Sequence, residues 1–288
     1  MNNKTEKTPN KRKRIALVTG GNSGIGKCTA LKLAKAGFYI VIAGRSKEKT
    51  IKTLNEITNL VGPNSCEWIP MHLDSLASVK DCVENFLNSK RDLDLLVNNA
   101  GLAGAHGITS DGFELSFGVN HLGHFLLTYL LLDKLKENNG SRVVTVSSKV
   151  HKRAKFIDWT ELRKNTQSIT GVAEYAVSKL SNILFSRELS KKLTGTNVST
   201  YCLHPGIVDT NIWRTLPMFL RPLLKISGML TPEEGAKTTI YCSLDAPQVE
   251  SGEYYCRSKI DKPSPIAQSD ALSSELWERS LEWTQKFH

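Results

Sequence analysis

Thr19-Gly-Gly-Asn-Ser-Gly-Ile-Gly26 lies between an apolar run, Ile15-Ala-Leu-Val-Thr19, and a segment whose Ala30, Leu31, Leu33 and Ala34 fall on or near one helical face. The run predicts a strand, and Gly26 to Gly37 predicts a helix that Gly37 stops. Glycines at 20, 24 and 26 strip side chains from the turn between them. Such a turn folds tightly and brings its backbone against a pyrophosphate, which then rests on the helix N-terminus. Glycines alone would mark only a structural turn. Strand, turn and helix in this order make Gly20, Asn22, Ser23, Gly24, Ile25 and Gly26 the expected contacts of a dinucleotide-binding βα unit.

The same alternation continues outward. Tyr39–Ala43 reads as a strand, Lys47–Leu60 as a polar-faced helix, Glu67–His72 as a strand, Leu76–Ser89 as a helix and Leu93–Val97 as a fourth strand. Phe113–Lys136 reads as a long helix, Arg142–Ser147 as a strand, Ala173–Leu193 as a helix and Asn197–Leu203 as a strand. Strands spaced by helices predict an α/β fold, a parallel sheet covered on both faces. After Pro205 the pattern changes. Asn211–Thr231 is apolar and irregular, with Pro217 and Pro222, while Glu233–Leu244 is helical. Gly252–Cys256 looks like a last strand, and a final helix is expected around Leu272–Phe287.

At 288 residues, 40% apolar and 23% charged, the chain can bury the core of a single α/β domain. Its longest predominantly apolar stretches, such as Phe125–Leu132, fall far short of the roughly 20 residues of a membrane-spanning helix. The first 14 residues have no apolar h-region and predict no signal peptide. They carry Lys4, Lys7, Lys11, Arg12, Lys13 and Arg14 against Glu6, half of the net charge of +10. Residues 1–13 are therefore expected to be a basic, flexible tail before one domain spanning 14–288. So short a charge run specifies no nucleic acid. The six cysteines form no C-x-x-C pair, so no metal site is expected. Free thiols and the missing export signal point to the cytoplasm.

The end of the second strand selects the cofactor. An acid there would hold a ribose 2′-hydroxyl, but the stretch reads Ala43-Gly-Arg-Ser-Lys47. Arg45 can grip a 2′-phosphate with its planar fork, helped by Ser46 and Lys47, so NADP(H) is expected. Asp74 is placed to reach the adenine amino group, or to cap the helix that follows. Tyr175 and Lys179 stand four apart on one helical face. A free tyrosine, with pKa about 10, is a poor acid or base near neutrality. A nearby ammonium favours the phenolate and lets the tyrosine trade a proton with a carbonyl or alcohol oxygen.

Together, Thr19–Gly26, Asn98-Asn-Ala-Gly101, Asn120, Ser147-Ser148, Tyr175 with Lys179, and Pro205-Gly206 resemble the short-chain dehydrogenase/reductase family in order and spacing, from about Arg14 to Cys256. The resemblance implies a Rossmann-type doubly wound parallel sheet of about seven strands. It implies Tyr175 as the acid in reduction and the base in oxidation, with Lys179 lowering its pKa and binding the nicotinamide ribose. Ser148 would hold the substrate oxygen, and Asn120 a water that relays protons to Lys179. Asn99, Ala100 and Gly101 would flank the cofactor by their backbone. Pro205, Gly206, Val208 and Thr210 would hold the nicotinamide carboxamide, leaving His204 structural.

Ala43–Ser46, Asn120-His-Leu-Gly-His-Phe125, Arg142–Ser148, Tyr201–Gly206 and Thr231-Pro-Glu-Glu-Gly-Ala236 are most similar to the retinol dehydrogenase-like branch. That implies NADP(H) and lipophilic aldehydes or alcohols as substrates. Carbonyl reductase and hydroxysteroid dehydrogenase chemistry are the alternatives within the family, and a non-catalytic NADP(H) sensor the alternative outside catalysis. Residues 211–231 are the expected substrate lid, oily through Trp213, Met218 and Phe219, with Trp213 as a substrate contact. With Arg214, Arg221 and Lys225 interleaved, the lid could also rest peripherally on the cytosolic face of a membrane. The branch often starts with a hydrophobic anchor, where this sequence shows a charged tail, and often has Cys where this chain has Gly44. A homodimer through the helices of Asn120 and Tyr175 would follow the family pattern.

Overall fold

The computed structural model describes residues 12–208 and 229–288. One eight-stranded sheet has the order β3-β2-β1-β4-β5-β6-β7-β8. Its strands are β1 (Ile15–Thr19), β2 (Tyr39–Gly44), β3 (Cys66–Pro70), β4 (Leu95–Asn98), β5 (Arg142–Val146), β6 (Ser199–His204), β7 (Tyr254–Cys256) and β8 (Lys259–Ile260). The first seven are parallel and β8 pairs antiparallel with β7. The expectation of about seven parallel strands holds. The two-residue β8 is too short to be read from the sequence.

The helices are α1 (Gly24–Lys35), α2 (Lys47–Val61), α3 (Leu76–Asn88), α4 (Leu115–Phe117), α5 (Gly123–Lys136), α6 (Val172–Lys192), α7 (Pro232–Leu244) and α8 (Asp270–Thr284). Strand periodicity sorts them into two layers. Ala16 and Val18 of β1, with Ile40 and Ile42 of β2, face a core shared with Leu33 of α1, Ile57 of α2 and Cys242 of α7. Their neighbours Leu17, Val41 and Ala43 face the other core, with Val79 of α3, Phe125 of α5, Leu184 of α6 and Trp277 of α8. Every residue of β1 is buried because both faces are covered, which is why its sequence reads as an unbroken apolar run.

Several helix starts are set by side-chain caps, though α1, α5 and α6 have none. Ser46 accepts from the Lys49 amide, Ser75 from Ser78, and Thr231 and Glu234 form a reciprocal capping box on α7. Ser75 therefore takes the capping role that the sequence had offered to Asp74. The helix expected over 113–136 starts at Leu115 and contains a π-helical turn, Gly118–Leu122, between α4 and α5. Composition and length alone would let Leu115–Lys136 cross a membrane, but 83% of its apolar window is buried inside the domain. Its hydropathy is that of a core helix.

The C-terminal helix α8 lies against α5 and α6. Trp277 stacks on Phe185 at 5.9 Å and meets Phe125 edge-on at 5.1 Å. His121 Nε2 of the π turn lies 3.2 Å from Ser280 Oγ. The helices that carry Asn120 and Tyr175 are thus covered by the chain's own C-terminus. The six cysteines are all free thiols, as expected.

Candidate active site

Leaving β1, the chain runs to β2 on one side, and it returns through β4 on the other. Loops therefore part above the carboxyl ends of β1 and β4, where doubly wound sheets form their binding crevice. A groove of about 590 Å³ lies there. Gly20, Asn22, Ser23, Gly24, Ile25, Gly26, Arg45, Ser46, Asp74, Asn99, Ala100 and Gly101 all line it. Four separate loops, after β1, β2, β3 and β4, thus bring these residues together.

The glycines are required by contact. A Cβ on Gly26 would lie 2.3 Å from Asn99 Nδ2 and 2.4 Å from the Gly20 carbonyl oxygen. Gly20 itself sits at φ +64, a left-handed conformation. Thr19 locks the loops together: its Oγ1 accepts from the amides of Asn99 and Ala100, each at 2.9 Å, and its carbonyl accepts from Asn99 Nδ2. His124 closes this network, with Nε2 2.9 Å from Thr19 Oγ1 and Nδ1 3.0 Å from the Asn120 carbonyl. The histidine is 2% exposed, and burial pushes its pKa down to about 4, so it is neutral. The sequence reading assigned neither Thr19 nor His124, because only the folded chain brings α5 to the glycine turn. Such a bare, narrow backbone cradle fits a dinucleotide pyrophosphate.

At the adenosine end, Lys49 lines the groove beside Arg45, whereas Lys47 does not. Lys49 is one helical turn beyond Arg45, and Ser46 Oγ is engaged in capping that turn. The i, i+4 spacing was the signal that could have found it.

Gly101 joins the groove to the cluster of residues expected to be catalytic: a Cβ there would lie 3.0 Å from Asn120 Oδ1 and 3.5 Å from Lys179 Nζ. Asn120, in the π turn, is fully buried. Its Oδ1 accepts from the Leu102 amide and its Nδ2 donates to the Leu102 carbonyl and Ser178 Oγ, all at 2.9 Å. The amide is thus committed to fixing the loop after β4. Ser148 follows β5, and its hydroxyl lies close enough to the Tyr175 phenol to pull its pKa down. Ser147 Oγ donates to the Lys179 carbonyl at 2.7 Å, tying the strand end to α6. Tyr175 is 4% exposed in the first turn of α6. Lys179 Nζ stands 5.7 Å from the Tyr175 ring centre and donates to the Val146 carbonyl at 2.9 Å.

Burial pushes the Tyr175 phenol up to about 12, with the Ser148 hydroxyl pulling the other way. This corrects the expected direction: with the ammonium held on Val146, desolvation outweighs it. Burial also pushes Lys179 down to about 8. Near neutrality both groups keep their protons.

Pro205, Gly206 and Val208 follow β6 and are not among the residues that line the groove. Val208 pairs with Leu230 and approaches Ile25 across Gly235, where a Cβ would lie 2.5 Å from Val208 and 3.2 Å from Ile25. His204 is structural, as expected: its Nδ1 accepts from the Lys149 amide at 3.3 Å, and burial pushes it down to about 4. Thr210, Trp213 and most of the expected lid lie outside the described residues. Among the described residues no cluster of His, Cys, Asp or Glu could hold a metal.

Residues 14–160 match the short chain dehydrogenase family. Dehydrogenase/reductase SDR family member 13 of Bos taurus is 41% identical over 93% of this chain and 72% of its own length. Retinol dehydrogenase 14 of Mus musculus is 39% identical over 93% of this chain and 84% of its own. A solved structure of a putative NAD(P)-dependent gluconate 5-dehydrogenase from Beutenbergia cavernae, with bound NADP, superposes with TM-score 0.69 at 25% identity, over 85% of this chain and 94% of that one. The chain belongs to the short-chain dehydrogenase/reductase family. It is a retinol dehydrogenase-like oxidoreductase of alcohol or carbonyl groups, built to use a nicotinamide cofactor.

Proposed function

We propose that the protein is an NADP(H)-dependent enzyme that reduces a lipophilic carbonyl, such as retinal or a medium-chain aldehyde, or oxidises the matching alcohol. The observation that carries this reading is the meeting of the Ser148 hydroxyl, the buried Tyr175 phenol and the Lys179 ammonium, joined through Gly101 to the dinucleotide groove. A non-catalytic binding module has no use for a buried phenol beside a hydroxyl and a lysine.

The bound nicotinamide supplies or takes the hydride. This chain's residues do the rest. Ser148 Oγ and Tyr175 OH, which are near enough to affect each other, converge on one acceptor, the substrate oxygen. Tyr175 is protonated at neutral pH and donates its proton to the developing alkoxide. The Lys179 ammonium then faces a phenolate, which its charge stabilises. In oxidation the same proton moves back. Asn120 holds the loop that walls this site by bonding both polar groups of Leu102.

Arg45 and Lys49 give the groove two cations at the adenosine ribose end, the charge arrangement that suits a 2′-phosphate. Hydrogen bonds to charged groups contribute about 1.5–3 kcal/mol. Arg45→Ala is therefore expected to raise the KM for NADPH by roughly 10- to 100-fold, and to leave that for NADH within about 2-fold. Steady-state kinetics with both cofactors checks this; equal loss for both would remove Arg45 from cofactor choice.

The function is tested by initial rates of NADPH and NADH oxidation with retinal, a medium-chain aldehyde and a ketosteroid. NADPH-dependent turnover of retinal or the aldehyde supports the reading. Turnover of the ketosteroid alone would move the enzyme to hydroxysteroid chemistry. Tight NADPH binding without turnover of any carbonyl would overturn catalysis.

A further inference from the structure

His151 takes no part in the chemistry above, yet it touches Ser148. It sits in a short 3-10 helix, Lys149–Arg153, for which Ser148 is the N-cap. The ring is fully buried and packs edge-on against Tyr254 at 5.3 Å. Nε2 accepts from the Ser264 amide at 3.1 Å. An accepting Nε2 carries no proton, so the single proton of the neutral ring is on Nδ1. Nδ1 in turn lies 2.7 Å from the Ser148 carbonyl oxygen and donates to it. Burial lowers the pKa of the ring and keeps it in this neutral form.

The two bonds join distant parts of the chain. Ser264 lies between Pro263 and Pro265, where a 3-10 turn, Pro265–Gln268, leads into α8. That helix packs against α6, which carries Tyr175 and Lys179. Ser148 and Tyr175 must meet within hydrogen-bond distance of one substrate oxygen, and displacement of a reacting group by about 1 Å can cost about 100-fold in rate. A residue that fixes the Ser148 backbone to the segment buttressing α6 sets their relative position.

We propose that His151 is a positioning residue for Ser148, acting through the Ser148 carbonyl, with its ring oriented by the Ser264 amide. The inference rests on the reading of Ser148 as the residue that holds the substrate oxygen. In metal sites the same logic is familiar, where a partner on one imidazole nitrogen fixes the action of the other.

Two substitutions in the full chain separate the halves of the bridge. In His151→Asn, the amide nitrogen takes the place of Nδ1 and still donates to Ser148, but nothing reaches Ser264. In His151→Gln, the amide oxygen takes the place of Nε2 and still accepts from Ser264, but the Ser148 carbonyl loses its side-chain donor and keeps only the amide of residue 151, 3.1 Å away. Carbonyl reduction with NADPH is expected to fall in kcat by about 10-fold or more in the Gln variant and by about 3-fold or less in the Asn variant. KM and Kd for NADPH should stay within about 2-fold in both. Hydrogen exchange without cofactor should show the Ser264 amide protected in the wild type and the Gln variant, and released in the Asn variant. A Gln variant as fast as wild type, or equal losses in both that follow their melting temperatures, would overturn the proposal. Should neither variant fold, imidazole nitrogen NMR of the wild type still decides the bridge: a ring protonated on Nε2 sinks it. A wild type that turns over no carbonyl would overturn the functional reading instead, and the exchange and tautomer results would still judge the bridge.

Discussion

Tyr175→Phe is expected to lower turnover by about 100- to 10,000-fold while the Kd for NADPH stays within about 2-fold. The substitution removes one oxygen from a residue that is 4% exposed and leaves the ring in place. The lost oxygen is the proton donor of the proposed reaction, and Ser148 lies close enough to it to lower its pKa. Without it the developing alkoxide has only the weaker Ser148 hydroxyl as donor. The dinucleotide groove is lined by other residues, so binding is spared. Measuring kcat, KM and Kd separately checks the split. A loss confined to KM would mean that Tyr175 only helps hold ligands.

The wild-type pH profile belongs to the same argument. Tyr175 is pushed up to about 12 and Lys179 down to about 8. Below about 8 the phenol is protonated and the lysine charged, the pair that donation and phenolate stabilisation require. As pH rises through that value Lys179 loses its charge, so the rate of reduction is expected to fall there. Lys179→Met should abolish this alkaline limb; a profile unchanged by it would assign the limb to another group.

Trp277→Ala is expected to cost about 3–5 kcal/mol of stability, the range for truncating a large buried aromatic. Trp277 is 5% exposed, stacks on Phe185 at 5.9 Å and meets Phe125 at 5.1 Å. Lys192 Nζ lies 5.7 Å from its ring centre on the outer side. Truncation leaves a void between α8, α6 and α5 that rigid helices cannot close. Tm should fall by roughly 6–15 °C, since each kcal/mol shifts a chain of this size by a few degrees. Calorimetry checks it. A shift under about 2 °C would show that α8 frays without loosening the domain.

Much of the fold was legible because its period is local. Ile15–Thr19 is apolar at every position since both faces of β1 are covered, and Gly37 ends α1 at φ +88, where few side chains are tolerated. The glycine turn and Arg45 stand at a strand end or helix start that local pattern reveals, and Tyr175 and Lys179 share one helical face, but Ser148 was singled out only through the family resemblance. The π turn around Asn120 could not be read, because no local pattern shows it; at its start Gly118 packs so close to Thr109 that a Cβ would lie 2.3 Å away.

What only the tertiary structure decided is which distant groups become partners. Thr19 meets His124 across 105 residues, and Ser264 meets His151 across 113. The direction of the Tyr175 shift was read wrongly for the same reason. Sequence shows a lysine four residues away, but not that its ammonium is turned to the Val146 carbonyl or that burial dominates. The amino-acid sequence by itself determined the order of elements and the chemical groups placed at their ends, because propensity, capping and periodicity act over a few residues. Charge state, hydrogen-bond partners and the seat of α8 came from the packed core, because desolvation and contact depend on everything that surrounds a side chain.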